Sequence, residues 1–439
     1  MRMIKDSCLL IKKFKREIAL FLILIFVSIA FPINYKIDTA IGQEKYPIFS
    51  ETGYLVTSSK SAILIDAHSG RVLWEKNPHK KQSPASITKI MTAIIAIENG
   101  DLKDKVVVSE EATLVGEAEV WLEEGEIITF ENLIYSALLF SANDACHAIA
   151  EHIGGSVEEF IEIMNKKAKE IGAINTSFVN PHGLDNKENG DGNISTAYDI
   201  AQIARYCMKN PKFAQIVNTR MKVMPGPPSS DEKRYVTNRN KFLNKYQYAN
   251  GIKTGYTIKA GSCLVASAKK DDINLIGVVL DSEPGYRDQD MINIFEYGFF
   301  KYKKIDTKVT DPFPNLIIEN EGIYKEIEVN PIEKTEVLLS SEEERKLQTK
   351  IEIDDTFKLP IKGGEKVGHL NIFLGNDELL KLDISSKNDV DIKSNKVNLS
   401  EIKLSLWKHY FKILTIIFVF ILVFLSFKKV INLKKVHRR

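Results

Sequence analysis

Three short groups of residues in this 439-residue chain could carry chemistry. The first is Ser86-Ile87-Thr88-Lys89, preceded by Gln82-Ser83-Pro84-Ala85. A serine hydroxyl is a weak nucleophile until a base takes its proton, and a lysine becomes that base only when burial or nearby positive charge lowers its pKa. Three residues apart on a helix, the Ser86 hydroxyl and the Lys89 amine share one face. The second group is Ser141-Ala142-Asn143-Asp144, a further hydroxyl beside an amide. The third is Gly251-Ile252-Lys253-Thr254-Gly255-Tyr256, a second lysine beside a hydroxyl and a glycine. Taken singly, a Ser-x-x-Lys pattern recurs by chance, and Ser141 or Asn143 would do as an ordinary helix cap. Weight comes from the three together.

Pro84 suits the start of a helix, and Ile87, Ile90, Met91, Ile94 and Ile95 recur densely enough for a buried one. This places Ser86 in a first helical turn and Lys89 among isoleucines near the positive end of the helix dipole. Ahead of it, residues 61–66 and 71–75 flank Ala67-His68-Ser69-Gly70 and predict a β-hairpin. Residues 101–130 predict short strands and turns. A helix over 131–140 runs into Ser141 and another begins at Ala145, which leaves Ser141 and Asn143 on the loop between them. Further helices are expected over 157–171 and 194–208, the latter capped by Ser195 or Thr196. Strand-like runs at 262–268 and 273–280 follow the third group and give an antiparallel meander with Lys253 on its first strand. Gly255 would there let a substrate backbone approach as an added strand, and Arg287, just past the last strand, adds a cation. His182, within Asn180-Pro181-His182-Gly183-Leu184, invites a role as base, but its Pro/Gly context favours a loop residue bonded locally.

The chain has room for two or three domains, and 44% hydrophobic content is ordinary for packed ones. With 60 Lys plus Arg against 58 Asp plus Glu, the net charge of +2 gives no support to a nucleic-acid partner. The ends differ from this average. Arg2, Lys5, Lys12, Lys13, Lys15 and Arg16 precede an apolar run from Ala19 to Ala30, as in a secretion signal. Ser28-Ile29-Ala30 and Ala40-Ile41-Gly42 both fit cleavage, and an uncleaved anchor is the alternative. Residues 411–427 are apolar, with Trp407 and Tyr410 before them and Lys428, Lys429, Lys434, Lys435, Arg438 and Arg439 after, so a short membrane span with a cytoplasmic C-terminus is expected. Four cysteines, one of them Cys8 in the leader, give at most one disulfide among Cys146, Cys207 and Cys263, and small buried thiols are the preferred reading. The histidines show no metal-ligand spacing, and neither a metal nor a cofactor is expected.

Ser-x-x-Lys, Ser-x-Asn and Lys-Thr-Gly in this order resemble the motif set of penicillin-binding proteins and class A β-lactamases. Within that superfamily the chain is similar to the D-alanyl-D-alanine carboxypeptidases, the low-molecular-weight penicillin-binding proteins, over roughly residues 53–385. The hairpin from Ile65-Asp66 to Glu75-Lys76, Pro84-Ala85-Ser86, Asn180 to Leu184, Ser195-Thr196-Ala197 and Gly251 to Gly255 carry the likeness. The resemblance implies that Ser86 is the acylated nucleophile and Lys89 its base. Ser141 and Lys253 would relay a proton to the leaving D-alanine, Asn143 would hold the peptide amide, and Thr254 and Arg287 would bind the terminal carboxylate. Gly255 and Tyr256 complete the substrate-binding strand, and the backbone N–H groups of Ser86 and Tyr256 could form an oxyanion hole. Two positions depart from the family pattern, Ala142 where Gly is usual and Tyr256 where His is common.

Past residue 305, short strands without a nucleophile motif predict an all-β domain, and Pro360 to Gly368 resembles the second domain of these carboxypeptidases. The expected fold is an α/β (α+β) catalytic domain like those of penicillin-binding proteins and serine β-lactamases, an antiparallel sheet flanked by helices. A small all-β domain and a C-terminal transmembrane helix follow. The expected division is a signal peptide or anchor at 1–42, catalytic domain at 50–304, β domain at 305–384, linker at 385–410, span at 411–427 and basic tail at 428–439. The expected protein is a single-pass cell-membrane enzyme with its catalytic domain on the extracytoplasmic face. It removes the terminal D-alanine from peptidoglycan stem peptides ending in D-Ala-D-Ala and is acylated by β-lactams. Endopeptidase or transpeptidase action, a β-lactamase and a penicillin-sensing receptor are the alternatives. The short tail argues against the receptor, and the β domain with a span against the β-lactamase.

Overall fold

The hairpin and the meander join into one five-stranded antiparallel sheet. Its strands are β1 (Ser61–Asp66), β2 (Val72–Lys76), β3 (Ala249–Thr257), β4 (Gly261–Lys270) and β5 (Ile273–Ser282), in the spatial order β2-β1-β5-β4-β3. Alternate residues of a strand face opposite sides, and both sides of β1 are covered. Ile63 and Ile65 enter one core, Ala62 and Leu64 the other, so all six residues of β1 are buried. The group Lys253-Thr254-Gly255 lies on β3, at the edge of the sheet. The structure is a computed structural model that describes residues 55–186, 190–306, 316–320, 323–332, 336–354 and 360–391. The expected leader, membrane span, basic tail and most of the linker lie outside the described residues. Among the described residues no helix is long and apolar enough to cross a membrane.

One face of the sheet carries a helical layer built round α1 (Lys89–Asn99), whose residues 89–96 are all buried. Ile90, Ile94 and Ile95 on it each stabilise the fold by roughly 1.5–3 kcal/mol through burial. Around it stand α2 (Phe130–Tyr135), α3 (Asn143–Gly154), α4 (Val157–Ile171), α5 (Ala197–Met208) and α6 (Pro211–Asn218). The other face is covered by α7 (Arg287–Lys301), which sets Met291, Ile294 and Phe295 against Leu64, Leu264 and Leu275.

Two expected helices are altered by local bonding. The run over 131–140 begins as α2 but widens into a π-helical turn over Ser136–Phe140. The helix expected from 194 begins at Ala197, because Ser195 pairs with Gln82 as an isolated bridge and Thr196 caps the helix by accepting from the Asp199 N–H. Cys146, Cys207 and Cys263 are buried free thiols.

Beyond the catalytic region lie β6 (Tyr302–Asp306), β7 (Val329–Pro331), β8 (Glu336–Ser340), β9 (Leu347–Ile353), β10 (Lys366–Leu374) and β11 (Asp377–Ser386). Four of these form an antiparallel sheet in the order β7-β11-β10-β9 over a small core that includes Ile327, Val367, Leu370 and Ile384. The strand β8 instead pairs with β6, and its Leu338 packs into the core beneath α7. Arg71, from the β1–β2 turn, donates to the Leu338 carbonyl and to Glu343. Packing therefore continues across the boundary expected at 304/305.

Candidate active site

Ser86 sits in a 3-10 turn, Ala85–Thr88, that leads directly into α1. Lys89 is 0% exposed, and its Nζ lies 3.0 Å from Ser86 Oγ and 2.6 Å from the His182 carbonyl oxygen. Burial pulls its pKa from 10.5 down to about 8, helped by the Arg239 charge and opposed by Cys146, Asp144 and Glu117. A neutral amine is thus accessible near neutral pH, as a base for Ser86 requires. The His182 ring is itself no base. Burial and Lys89 hold it down at about 3, and its Nδ1 accepts from the Leu184 N–H at 3.2 Å, in keeping with a locally bonded loop residue. Gly183 follows it at φ +90°, and a Cβ there would strike the Ala85 carbonyl, so only glycine lets this loop close on the serine turn.

Ser141 ends the π-helical turn in a left-handed conformation, φ 68°. Its Oγ lies 3.1 Å from Nζ of Lys253, which also donates to the Thr254 carbonyl at 3.1 Å. Lys253 is 1% exposed, and burial, followed by the charge of Lys89, holds its pKa well below the usual lysine value. The site therefore contains two Ser–Lys pairs, and the charge of Lys89 makes Lys253 easier to deprotonate. Asn143, the first residue of α3, donates from Nδ2 to the Gly116 carbonyl and from its backbone N–H to the Ala118 carbonyl. Its buried Oδ1 has no partner among the described residues. Asp144 accepts from the N–H groups of Val120 and Leu122. Together these two residues fasten the 116–122 segment beside the serines.

Two of the expected substrate-binding residues have close neighbours within the fold itself. Gly255 was expected to make room for a substrate backbone; within the fold, a Cβ on it would lie 2.8 Å from the Pro84 carbonyl and 3.2 Å from the Ala85 Cβ. The missing side chain lets β3 press against the turn that bears Ser86. Arg287, expected to meet the substrate carboxylate, donates to Asp288 through Nε at 2.9 Å and Nη2 at 2.7 Å. Its charge still reaches Lys253. Thr254 is half-buried on the same strand and Tyr256 is 67% exposed at its edge.

The cation beside both lysines that lacks an acidic partner among the described residues is Arg239. Its charge lowers the pKa of both Lys89 and Lys253, and its guanidinium lies 3.7 Å from the Phe140 ring centre. Its N–H donates to the Leu139 carbonyl, while Asn238 folds back onto the Thr219 carbonyl. The sequence reading passed over it because Asn238-Arg239-Asn240 has no periodicity. The signal present was an arginine held between two asparagines in an otherwise plain connection to β3.

Comparison with known proteins agrees with this geometry. Residues 50–284 match the family described as D-alanyl-D-alanine carboxypeptidase, and residues 319–391 match the penicillin-binding protein 5 C-terminal domain. The D-alanyl-D-alanine carboxypeptidase DacF of Bacillus subtilis is 34% identical over 346 residues, covering 77% of this chain and 87% of that one. Among solved structures, the D-alanyl-D-alanine carboxypeptidase DacD of Francisella tularensis superposes with a TM-score of 0.61 at 26% identity, over 81% of this chain and 99% of that one. A Streptomyces DD-transpeptidase variant does so at 0.53 and 29%, over 56% of this chain and all of that one. The chain belongs to the D-alanyl-D-alanine carboxypeptidase family, with a penicillin-binding-protein-like α/β catalytic domain and a β domain behind it. It is accordingly a serine-type peptidase, a hydrolase.

Proposed function

We propose that Ser86 is the residue acylated as this D-Ala-D-Ala carboxypeptidase removes the terminal D-alanine of peptidoglycan stem peptides. The observation that carries the assignment is the pair of buried lysines, each within about 3 Å of its own serine. As Ser86 Oγ attacks the carbonyl carbon of the penultimate D-alanine, its proton passes to neutral Lys89 Nζ. Backbone N–H groups of Ser86 and Tyr256 stabilise the oxyanion. The C–N bond then breaks, the leaving D-alanine nitrogen takes a proton from Ser141 Oγ, and the proton that Lys89 took from Ser86 is relayed through Lys253 to restore Ser141. Water later attacks the ester and releases the shortened peptide. Thr254 and Arg239 hold the terminal carboxylate, with Arg287 adding field rather than contact, and Asn143 holds the peptide amide.

A β-lactam presents a strained carbonyl and a carboxylate in the same arrangement and acylates the same serine. The protein is held in the cell membrane by residues 411–427, with its catalytic domain outside and residues 305–384 lifting that domain from the surface. Transfer of the acyl group to an amine acceptor is the second reading, favoured by the similarity to the Streptomyces DD-transpeptidase.

The test is D-alanine release from a Lys-D-Ala-D-Ala peptide by the full chain in detergent, beside labelling with a fluorescent penicillin. Release with a lasting adduct, both abolished in Ser86→Ala, supports the carboxypeptidase. Hydrolysis persisting in Ser86→Ala overturns the serine mechanism. Labelling without release points to the transpeptidase.

A further inference from the structure

Seven residues other than glycine have positive φ among the described residues. Asn77, Asp271 and Asp281 are of types that tolerate this conformation. The other four, Ala85, Glu117, Trp121 and Ser141, all lie at the active site or on the 116–122 segment beside it. Ala85 and Ser141 have an evident reason, since they set the nucleophile turn and the second serine. Glu117, at φ 64°, has none within the fold. Conformations of this kind cost of order 1–3 kcal/mol and persist only where the surroundings impose them.

Here the surroundings are Asn143 and Asp144. Asn143 bonds the carbonyls on both sides of Glu117, Gly116 through Nδ2 at 2.9 Å and Ala118 through its N–H at 2.6 Å. Asp144 takes the N–H groups of Val120 and Leu122, and Glu119 turns back onto the Gly116 N–H. The other acids of the segment and its continuation are in use as well, Glu123 by Ser229 and Glu126 by Arg234. Within 116–122, Glu117 is the acid left exposed with no hydrogen bond or ion pair among the described residues; Glu124, also exposed and unbonded, lies beyond the part that Asn143 and Asp144 fasten. The field of Glu117 reaches Lys89 and raises the pKa there, the opposite of what a base needs, so tuning Lys89 is not its use. Further along, Trp121 is 70% exposed with its ring edge-on to Phe140, whose face carries Arg239.

The wall beside the serines is therefore polarised, with a free carboxylate at Glu117, the amide of Asn143, and a free guanidinium at Arg239. A peptide whose terminal carboxylate meets Arg239 and whose amide meets Asn143 brings the residue preceding the D-Ala pair towards Glu117. We propose that Glu117 is a specificity-determining residue that recognises a free ammonium group on the substrate residue preceding D-Ala-D-Ala. This rests on the carboxypeptidase reading, and charge complementarity of this kind selects between substrates more than it adds raw affinity.

The experiment compares kcat/KM for Nα-acetyl-L-Lys-D-Ala-D-Ala, with its side-chain amine free, and for the Nα,Nε-diacetyl peptide. Both share the reacting bond, so the ratio cancels any change in Lys89. The full-length enzyme favours the free amine by about fivefold at low salt, as a partly exposed ion pair allows, and 0.5 M NaCl shrinks the preference. Glu117→Gln brings the ratio towards one and Glu117→Lys reverses it. A wild-type ratio of one, or a ratio unmoved in Glu117→Gln, overturns the proposal. A wild-type preference that 0.5 M NaCl leaves unchanged overturns the proposal even if a variant misfolds. Absence of D-alanine release from either peptide, with penicillin labelling intact, overturns the carboxypeptidase reading and this inference with it, an outcome distinct from equal release from both.

Discussion

Lysine is used in opposite ways in the catalytic region and in the C-terminal sheet. Lys89 and Lys253 are sealed from solvent, each set beside a serine hydroxyl, and burial drives both pKa values down. On the C-terminal sheet, Lys350 pairs with Glu352 at 2.8 Å in open solvent and its pKa moves up, while Lys366 pairs with Asp383 at 3.0 Å. The difference shows where the molecule spends stability on chemistry. A charge paired at the surface costs little and contributes little, whereas an amine held in an apolar core costs folding energy and becomes a base.

The largest test of this contrast is Lys89→Met, similar in volume but unable to take a proton. Its kcat/KM is expected to fall by about 10³ or more as the base is lost. Its stability is not expected to fall in proportion. In the folded protein the Lys89 pKa is about 8 against 10.5 for a free lysine, so between these values the unfolded chain binds more protons and stability rises with pH. The burial cost is full below about pH 8, where it amounts to about 3 kcal/mol. Against it stands roughly 1–3 kcal/mol for leaving the His182 carbonyl without its donor. Thermal melts at pH 7 should therefore find the variant as stable as the parent or slightly more so, and a large loss would break the comparison. In the parent, acylation by penicillin should speed up as pH rises through about 8, because neutral Lys89 is the active form.

Arg239→Ala is a smaller perturbation with two readouts. Loss of a charged hydrogen bond to the substrate carboxylate should raise KM by about tenfold. Removing its positive charge also raises the Lys89 pKa, so the midpoint of the acylation profile should move to higher pH. A shift in the other direction would contradict the placement of Arg239 beside the lysines. The smallest effect is expected from Lys350→Ala. Steady-state kinetics and the thermal midpoint should both stay where they were, and a change in either would mean that the C-terminal sheet acts on the site.

Much of this arrangement was legible in the sequence. Ser86, Lys89, Ser141 and Lys253 stood out because nucleophile and base must be close, and a three-residue helical spacing or a strand beside a helix turn is a short list of ways to achieve it. Four strands of the catalytic sheet showed themselves as apolar runs between turn residues, and the fifth, β3, followed from the two runs after Lys253-Thr254-Gly255. What stayed hidden depends on contacts between segments far apart in the chain. Nothing near Arg239 announces that its charge will reach both Lys89 and Lys253. Gly255 was picked out correctly as a place of close approach, but the approaching group belongs to the turn at Pro84 and Ala85, about 170 residues earlier, and periodicity carries no such information. The start of α5 moved from 194 to 197 for the same reason, since Ser195 answers to Gln82.

The widened turn over Ser136–Phe140 stores information of another kind. A π-helical turn holds roughly one residue more than an α-helical turn. Deleting one residue within it would let the helix close up regularly and swing Ser141 by about 100° round the axis, away from Lys253. The apolar side chains there could still find a core, so a chain one residue shorter would fold much as before and lose its proton relay. Part of the active site is thus written as length rather than as any particular side chain, and a single-codon deletion is the change that would erase it.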